Sequence, residues 1–346
     1  MIQFAAARTM WVRRAPRAAR FLVGAAVSAA LAFSALPAAA QNADQYPSRP
    51  VKIIVPYGPG GATDIIARHL ANRLAETLGQ GFIVENRPGA SGNIALDAAA
   101  KAAPDGYTLF VGNVSTNTIN ESLFGSVMQT RPSRDLIGVT KLVEIPHVVA
   151  VSTAFPAKTI AEAIELARKN PGKFNYASAS LGSYPHLDML KLLKATGTDM
   201  THVPYKGGAG QMVPSLMTNE TQLAFINLSS TIEQIRAGKM KAIATTAPSR
   251  VPELPDVATM AEQGFPGIGT NAWQGLFAPA ATPKPIVDKL FNATVAVLSR
   301  LEMKERLAHQ MLTVMLSKSP QDFNELVQKE TREWGDFIRE NKVKVE

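Results

Sequence analysis

Cysteine is absent from the 346-residue chain. This one absence excludes structural disulfides, Cys-ligated zinc, iron–sulfur clusters, thiol nucleophiles and a lipidated N-terminal cysteine. Familiar catalytic motifs are missing as well. The nearest approach to G-x-S-x-G, Gly89-Ala90-Ser91-Gly92-Asn93, lacks the final glycine. There is no Walker loop, and Gly58, Gly60 and Thr63 fail G-x-G-x-x-G at its third glycine. The five histidines (His69, His147, His186, His202, His309) contain no H-E-x-x-H. Neither a metal centre nor a cofactor is expected.

Basic charge is scarce beyond the N-terminus. The formal net charge is +8, but Arg8, Arg13, Arg14, Arg17 and Arg20 supply +5 of it within the first forty residues, which hold no acid. The rest carries +3, too little for a nucleic-acid footprint. Those arginines precede an apolar run over residues 21–36 that ends in Ala38-Ala39-Ala40. A spanning helix needs about twenty residues, so this run reads as a secretory leader cleaved near Ala40, with Gln41 as the mature start. A soluble, exported protein is expected, and no later segment could span a bilayer.

What remains is ordinary globular material, 46% hydrophobic and 18% charged, and long enough to favour two lobes over one core. Val51-Lys52-Ile53-Ile54-Val55 reads as a buried strand leading to a glycine loop. The helix that follows places Ile66, Leu70, Leu74 and Leu78 on one face and stops at Gly79. Phe82-Ile83-Val84-Glu85, the loop Pro88-Gly89-Ala90-Ser91-Gly92 and a helix over 93–102 repeat the pattern. Tyr107-Thr108-Leu109-Phe110-Val111 is a third strand. The rhythm loosens beyond residue 120. It resumes with a capping box at Thr159 and Glu162, a cap and first-turn proline at Thr282-Pro283, and a last helix opened by Ser319-Pro320. The fold class is α/β, two lobes each built on a mostly parallel sheet flanked by helices, with the C-terminal helices returning to the first lobe. The expected division is 1–40 leader, 41–147 with 250–346 lobe one, and 148–249 lobe two.

Three loops carry the functional signal: 58–64, 88–92 and 178–183. Each follows a strand and opens a helix, where unpaired N–H groups and the helix dipole favour an anion. Thr63, Ser91, Ser178, Ser180 and Ser183 add hydroxyls. Carboxylate suits these loops better than phosphate, for which no obvious lysine stands near. The same residues also serve as ordinary turn formers and caps, and spacing alone leaves both readings open. Asp64 reads as a helix cap or a base, His186 and His202 as ligand contacts or carbonyl partners. Lys206, in Lys206-Gly207-Gly208, reads as an anion partner or a solvated turn.

Longer runs go further. Pro50-Val51-Lys52-Ile53-Ile54-Val55-Pro56-Tyr57-Gly58-Pro59-Gly60-Gly61-Ala62-Thr63-Asp64 resembles the opening of the Bug-type receptors, the solute-binding proteins of tripartite tricarboxylate transporters. So do Glu85-Asn86-Arg87-Pro88-Gly89-Ala90-Ser91-Gly92-Asn93-Ile94, His202-Val203-Pro204-Tyr205-Lys206-Gly207 and Trp273-Gln274-Gly275-Leu276. The resemblance implies a periplasmic-binding-protein (flytrap) fold that closes on a small aliphatic or aromatic di- or tricarboxylate and delivers it to a membrane permease. It implies a non-enzymatic receptor, expected to be a monomer. Carried over by position, the ligand contacts are Tyr57, Gly60, Gly61, Ala62, Thr63 and Asp64, then Ala90, Ser91 and Gly92. Asn113 and Ser115 follow the third strand, and Ser178, Gly182, Ser183, Tyr205 and Asn227 come from the second lobe. Two departures matter. Ile226 replaces the acid usual before Asn227, which disfavours an amino acid and suits an aromatic or longer-chain carboxylate. Residues 121–136 depart from the family's Leu-Pro-Tyr-Asp turn. Two other readings stand beside this one: a periplasmic hydrolase using Ser183 with His186 or His202, and an extracytoplasmic ligand sensor.

Overall fold

The computed structural model describes residues 45–344, so the expected leader and its cleavage point lie outside the described residues. The chain begins with the predicted α/β grammar. Strand β1 (Val51–Val55) leads into helix α1 (Ala62–Leu78), β2 (Phe82–Asn86) into α2 (Asn93–Ala100), and β3 (Thr108–Asn113) follows. Gly79 ends α1 in the left-handed conformation, its N–H bonded to Ala75 O, as its position at the end of the apolar stripe predicts. Ile66, Leu70 and Leu74 are buried against the sheet.

A π-type turn (Ser115–Ile119) and two short helices, α3 (Asn120–Phe124) and α4 (Pro132–Asp135), fill the stretch with no sequence rhythm. They lead to β4 (Leu136–Ile145), a ten-residue strand that the sequence pattern does not announce. Gly138, Thr140, Lys141 and Glu144 interrupt its apolar run, and its pairing with a distant strand supplies the order that local pattern lacks. Only Pro146 separates β4 from β5 (His147–Ser152), where the chain crosses into a second sheet.

The second sheet continues with α5 (Ile160–Lys169), β6 (Asn175–Ser178), α6 (Tyr184–Thr196) and β7 (Thr201–Pro204). It ends with α7 (Ala209–Met217), β8 (Leu223–Asn227), α8 (Ile232–Arg236) and β9 (Met240–Thr245). The capping box forms with a shift: Thr159 Oγ1 accepts from Glu162 N, while the Glu162 carboxylate accepts from Lys158 N, one residue earlier than the ideal pattern. The chain then returns to the first sheet through β10 (Ala272–Pro279), α9 (Lys284–Leu298), α10 (Leu301–His309), β11 (Thr313–Val314) and α11 (Pro320–Glu340). Ser319 caps α11 through Asp322 N, as predicted. Thr282 does not cap α9. The first flanking residue is Pro283, and the Thr282 hydroxyl makes no hydrogen bond.

The strand orders are β11-β4-β10-β3-β1-β2 and β7-β6-β8-β5-β9. In each sheet three strands are parallel (β1, β2, β3 and β6, β7, β8), and antiparallel strands complete the set. Each sheet is covered by an apolar cluster on each face, and one first-lobe cluster also takes in Tyr184 and Leu187 of α6. α11 is locked to the first lobe by Phe323, fully buried against Trp273 and Phe277, and by Trp273 Nε1, which donates to Glu330 at 2.8 Å. Between the lobes the two crossing segments are tied together. His147 N donates to Thr246 Oγ1, Thr246 N donates to His147 O, and Asp188 accepts from both the N–H and the hydroxyl of Thr270. These parallel strand ends turn the β1–α1, β2–α2, β6–α6 and β7–α7 loops toward one another.

Candidate functional site

The β1–α1 loop is organised by a carboxylate that faces inward. Gly61 is the flanking residue of α1 and no side chain caps the helix, so the N–H groups of Ala62, Thr63 and Asp64 stand at its open end. The Asp64 side chain instead accepts from Gly60 N at 3.0 Å, from Arg68 Nε and from Asn86 Nδ2, which also donates to Tyr57 O. Burial pushes the Asp64 carboxyl upward, but Arg68, the Gly60 N–H and Asn86 together hold it below the ordinary range. Its charge is thus spent on shaping the loop. Thr63 Oγ1 donates to Gln274 Oε1 at 2.7 Å, leaving the Gln274 amide nitrogen buried without an acceptor.

The second loop is strained. Ala90 and Ser91 both have left-handed backbones, with φ of 45° and 57°. Two bonds hold them there. Asn120 Nδ2 donates to Ser91 O, and Ser91 Oγ crosses between the lobes to Leu181 O at 2.9 Å.

In the second lobe one carbonyl gathers the β6–α6 loop. Ser180 O accepts from Ser178 Oγ, Ser183 Oγ and Ser183 N. Because the Ser178 proton goes to Ser180 O, His202 Nε2, 2.7 Å from Ser178 Oγ, is the donor in that contact. His186 Nδ1 accepts from Gly182 N, and its ring stacks on His202 at 4.0 Å. Burial, with His202 beside it, pushes His186 down to about 3, and burial pushes His202 down to about 4. Ser183 meets neither imidazole among its hydrogen bonds, so the nucleophile–base pair that a serine hydrolase requires is not formed.

Glycine backbones bring the lobes together. A Cβ on Gly58 would lie 3.2 Å from Gly207 O, and one on Gly210 would lie 2.8 Å from Pro59 O. Tyr184 N reaches across to Ser115 Oγ at 3.0 Å. Between these contacts lies a small cavity of about 40 Å³. Gly61, Ala62, Thr63, Asp64, Asn113 and Ser115 line it from the first lobe, and Asn227, Ile226, Met212 and Ala209 from the second. Tyr57 is buried in its wall beside Asn113 and Ser115; burial raises its phenol, and those two neighbours counter part of the rise. A second cavity of about 190 Å³ shares Tyr57 and Ala179 with the first and takes in Ala90, Ser91 and Gly92.

The structure therefore brings eleven of the sixteen expected contacts to two adjoining cavities and assigns the others elsewhere. Gly60 bonds Asp64, Ser178 and Ser183 secure the Ser180 carbonyl, and Gly182 bonds His186. Tyr205 packs on the second lobe's core. Sequence reasoning missed Tyr184, whose hydroxyl donates to Asn227 Oδ1, and Gln274, although Gln274 stood inside a quoted motif.

Comparison with known proteins agrees with this architecture. The family model described as the tripartite tricarboxylate transporter family receptor, TctC, matches residues 66–343. The chain belongs to that family and is a solute-binding receptor, not an enzyme; a structure similar to it, at 32% identity, is the periplasmic binding protein BugD. It is 33% identical to the protein BugT of Bordetella pertussis over 309 residues, covering 89% of this chain and 94% of the relative. A solved periplasmic transporter is 38% identical with a TM-score of 0.84, covering 87% of this chain and all of that one. MatC from Rhodopseudomonas palustris with bound malate is 34% identical at a TM-score of 0.79, over 84% of this chain and 99% of MatC. An R. palustris protein with adipate is 33% identical at 0.80, over 85% and 97%.

The stacked histidines set a pH dependence. Both are held neutral in the folded state, whereas an unfolded histidine titrates near 6.5. Below about pH 6.5 the unfolded chain binds more protons, so stability is full above that value and is lost as pH falls toward 4. Urea midpoints measured from pH 7.5 to 4 should fall across that window, and less steeply in His202→Gln. A flat wild-type profile would contradict the burial of the pair.

Proposed function

We propose that the protein captures a small carboxylate between its lobes in the periplasm and presents it to the membrane permease of a tripartite tricarboxylate transporter. The observation that carries this reading is the open first turn of α1, whose N–H groups and dipole face a cavity with no capping side chain in the way. A carboxylate supplies the missing acceptors, with charge-assisted hydrogen bonds of roughly 1.5–3 kcal/mol each. Asn113, Ser115 and Asn227 add polar partners, while Thr63 contributes its N–H because its hydroxyl is engaged by Gln274. The malate and adipate in the similar structures support a carboxylate as the ligand class.

Beside Asn227, the second-lobe wall presents the apolar Ala179, Ala209, Met212 and Ile226 and no carboxylate to pair with an ammonium group. An aliphatic or aromatic carbon skeleton suits it better than an amino acid. The cavity is far smaller than the ~300–1,000 Å³ of typical ligand sites, so loading proceeds through parted lobes and a turned Tyr57 ring. The ligand then stabilises closure by its greater affinity for the closed state, without chemistry. The proposal keeps the expected crossing at about residue 147, cleavage of the leader near Ala40, and a monomer, but moves the return to the first lobe from residue 250 to about 271, because Val251, Met260 and Phe265 pack in the second lobe's apolar clusters.

A thermal-shift panel of aliphatic, tricarboxylic and aromatic acids, with amino acids and sugars as controls, tests the ligand class. An acid at a hundred times its Kd should stabilise the native state by about 2.7 kcal/mol. Shifts with sugars or amino acids alone would contradict the reading. Gly210→Ala tests closure. Its methyl group favours the helix but meets Pro59 O only in the closed arrangement. Overpacking of about 1–3 kcal/mol should weaken ligand roughly tenfold while leaving apo stability unchanged or slightly raised. Unaltered affinity in calorimetry would show that the two loops do not need to meet.

A further inference from the structure

We infer that the protein holds a second ligand site, apart from the cleft, where Tyr176 and His186 receive the acid group of a hydrocarbon-chain monocarboxylate. The site is a cavity of about 1140 Å³ between α6 and the end of α11, just above the ~300–1,000 Å³ of typical ligand sites. It shares Leu181 with the smaller cavity beside Ser91, and no residue with the cavity at the start of α1. Two buried donors line it. Tyr176 is 2% exposed and His186 5%. Burial, with Asp199 nearby, raises the Tyr176 phenol, so the hydroxyl keeps its proton, yet it bonds to none of the described residues. His186 Nδ1 accepts from Gly182 N and burial holds the ring neutral, so the ring proton stands on Nε2. That N–H has no acceptor among the described residues either. The two rings lie 15° from parallel with centroids 6.3 Å apart, and His202 stacks on both, at 4.9 and 4.0 Å. Buried donors held in place without an acceptor mark a position where a partner group belongs.

The partner is an anion. A carboxylate accepts from a phenol and an imidazole N–H, whereas an ammonium group has only donors to offer them. The charged residues around the cavity agree: Lys191, Lys194 and Lys344 stand against one acid, Asp199. Lys194 is engaged by Asn341. Lys191 lies over the Trp334 and Phe337 rings, at 4.3 and 4.6 Å, and forms no ion pair with a described residue. Its ammonium is therefore available to the same acid group. Much of the remaining wall is hydrocarbon, from Leu190, Leu193, Met200, Ile268 and Val343. Such a wall suits an apolar chain and penalises a second charge, so a monocarboxylate fits and a short dicarboxylate does not. Phe337 and Val343 pack with the first lobe, Tyr176 and Met200 with the second, so an occupant touches both.

The test is calorimetry of the wild-type protein and Tyr176→Phe with octanoate, octan-1-ol and octylammonium, joined to photo-crosslinking by a diazirine-bearing octanoate. The Tyr176 hydroxyl makes no bond within the protein, so the variant should keep the wild-type thermal midpoint. Octanoate should bind the wild-type protein more tightly than the alcohol or the amine. Tyr176→Phe should weaken octanoate by about tenfold, the loss of one charge-assisted hydrogen bond, and leave octan-1-ol unchanged. Crosslinked peptides should fall within residues 190–200 and 337–344. The site is overturned if octanoate does not bind, if the alcohol or the amine binds as tightly, if Tyr176→Phe keeps full octanoate affinity, or if the crosslinks fall within 57–64 and 88–92. The receptor reading stands or falls separately, on the thermal-shift panel.

Discussion

The structure depends on a backbone-to-backbone approach between two glycine-lined loops. Gly58 faces Gly207, and Gly210 faces the Pro59 carbonyl, at distances that leave no room for side chains between them. Where side chains are excluded, the groups left to meet a ligand are largely peptide N–H groups, hydroxyls and amides. Such donors favour an anion without placing a full positive charge in the cleft. Charge enters in two controlled ways: Asp64 is turned inward to shape the first loop, and Lys206 stands at the edge of the second cavity.

The surrounding bonds keep that approach in register. Asp64, Arg68 and Asn86 hold the first loop, and Asn120 holds the strained Ala90–Ser91 backbone of the second. Ser91 and Ser115 extend one bond each across the cleft, to Leu181 and Tyr184. Helix α6 adds apolar contact: Tyr184 and Leu187 share a cluster with the first lobe, and Lys191 lies over the Trp334 and Phe337 rings of α11. At the far side the chain crosses twice, at Pro146 and after β9, and Thr246 ties the two crossings together. Motion of one lobe against the other is thereby referred to a compact strand pair.

Much of this was legible in the residues. Apolar stripes, Gly79, the Thr159 and Ser319 caps and the glycine loops marked strand, loop and helix because each acts through near neighbours. β4 was not legible, since its polar interruptions hide a strand whose order comes from β10, more than a hundred residues away. The serines of the β6–α6 loop show the same limit more finely. In sequence Ser178, Ser180 and Ser183 are equivalent hydroxyls. Only the folded loop determines that two of them serve the third residue's carbonyl and that Ser180 keeps its own hydroxyl free. Gln274 was hidden for a related reason: it reaches Thr63 across 211 positions of chain.

The central claim is that ligand binding and lobe closure are one event. Small-angle scattering of the purified protein, with and without an acid that binds it, tests this most directly. The account predicts a ligand-free profile more extended than the closed structure and a ligand-bound profile that matches it. Identical profiles in the two states, at saturating ligand, would contradict it.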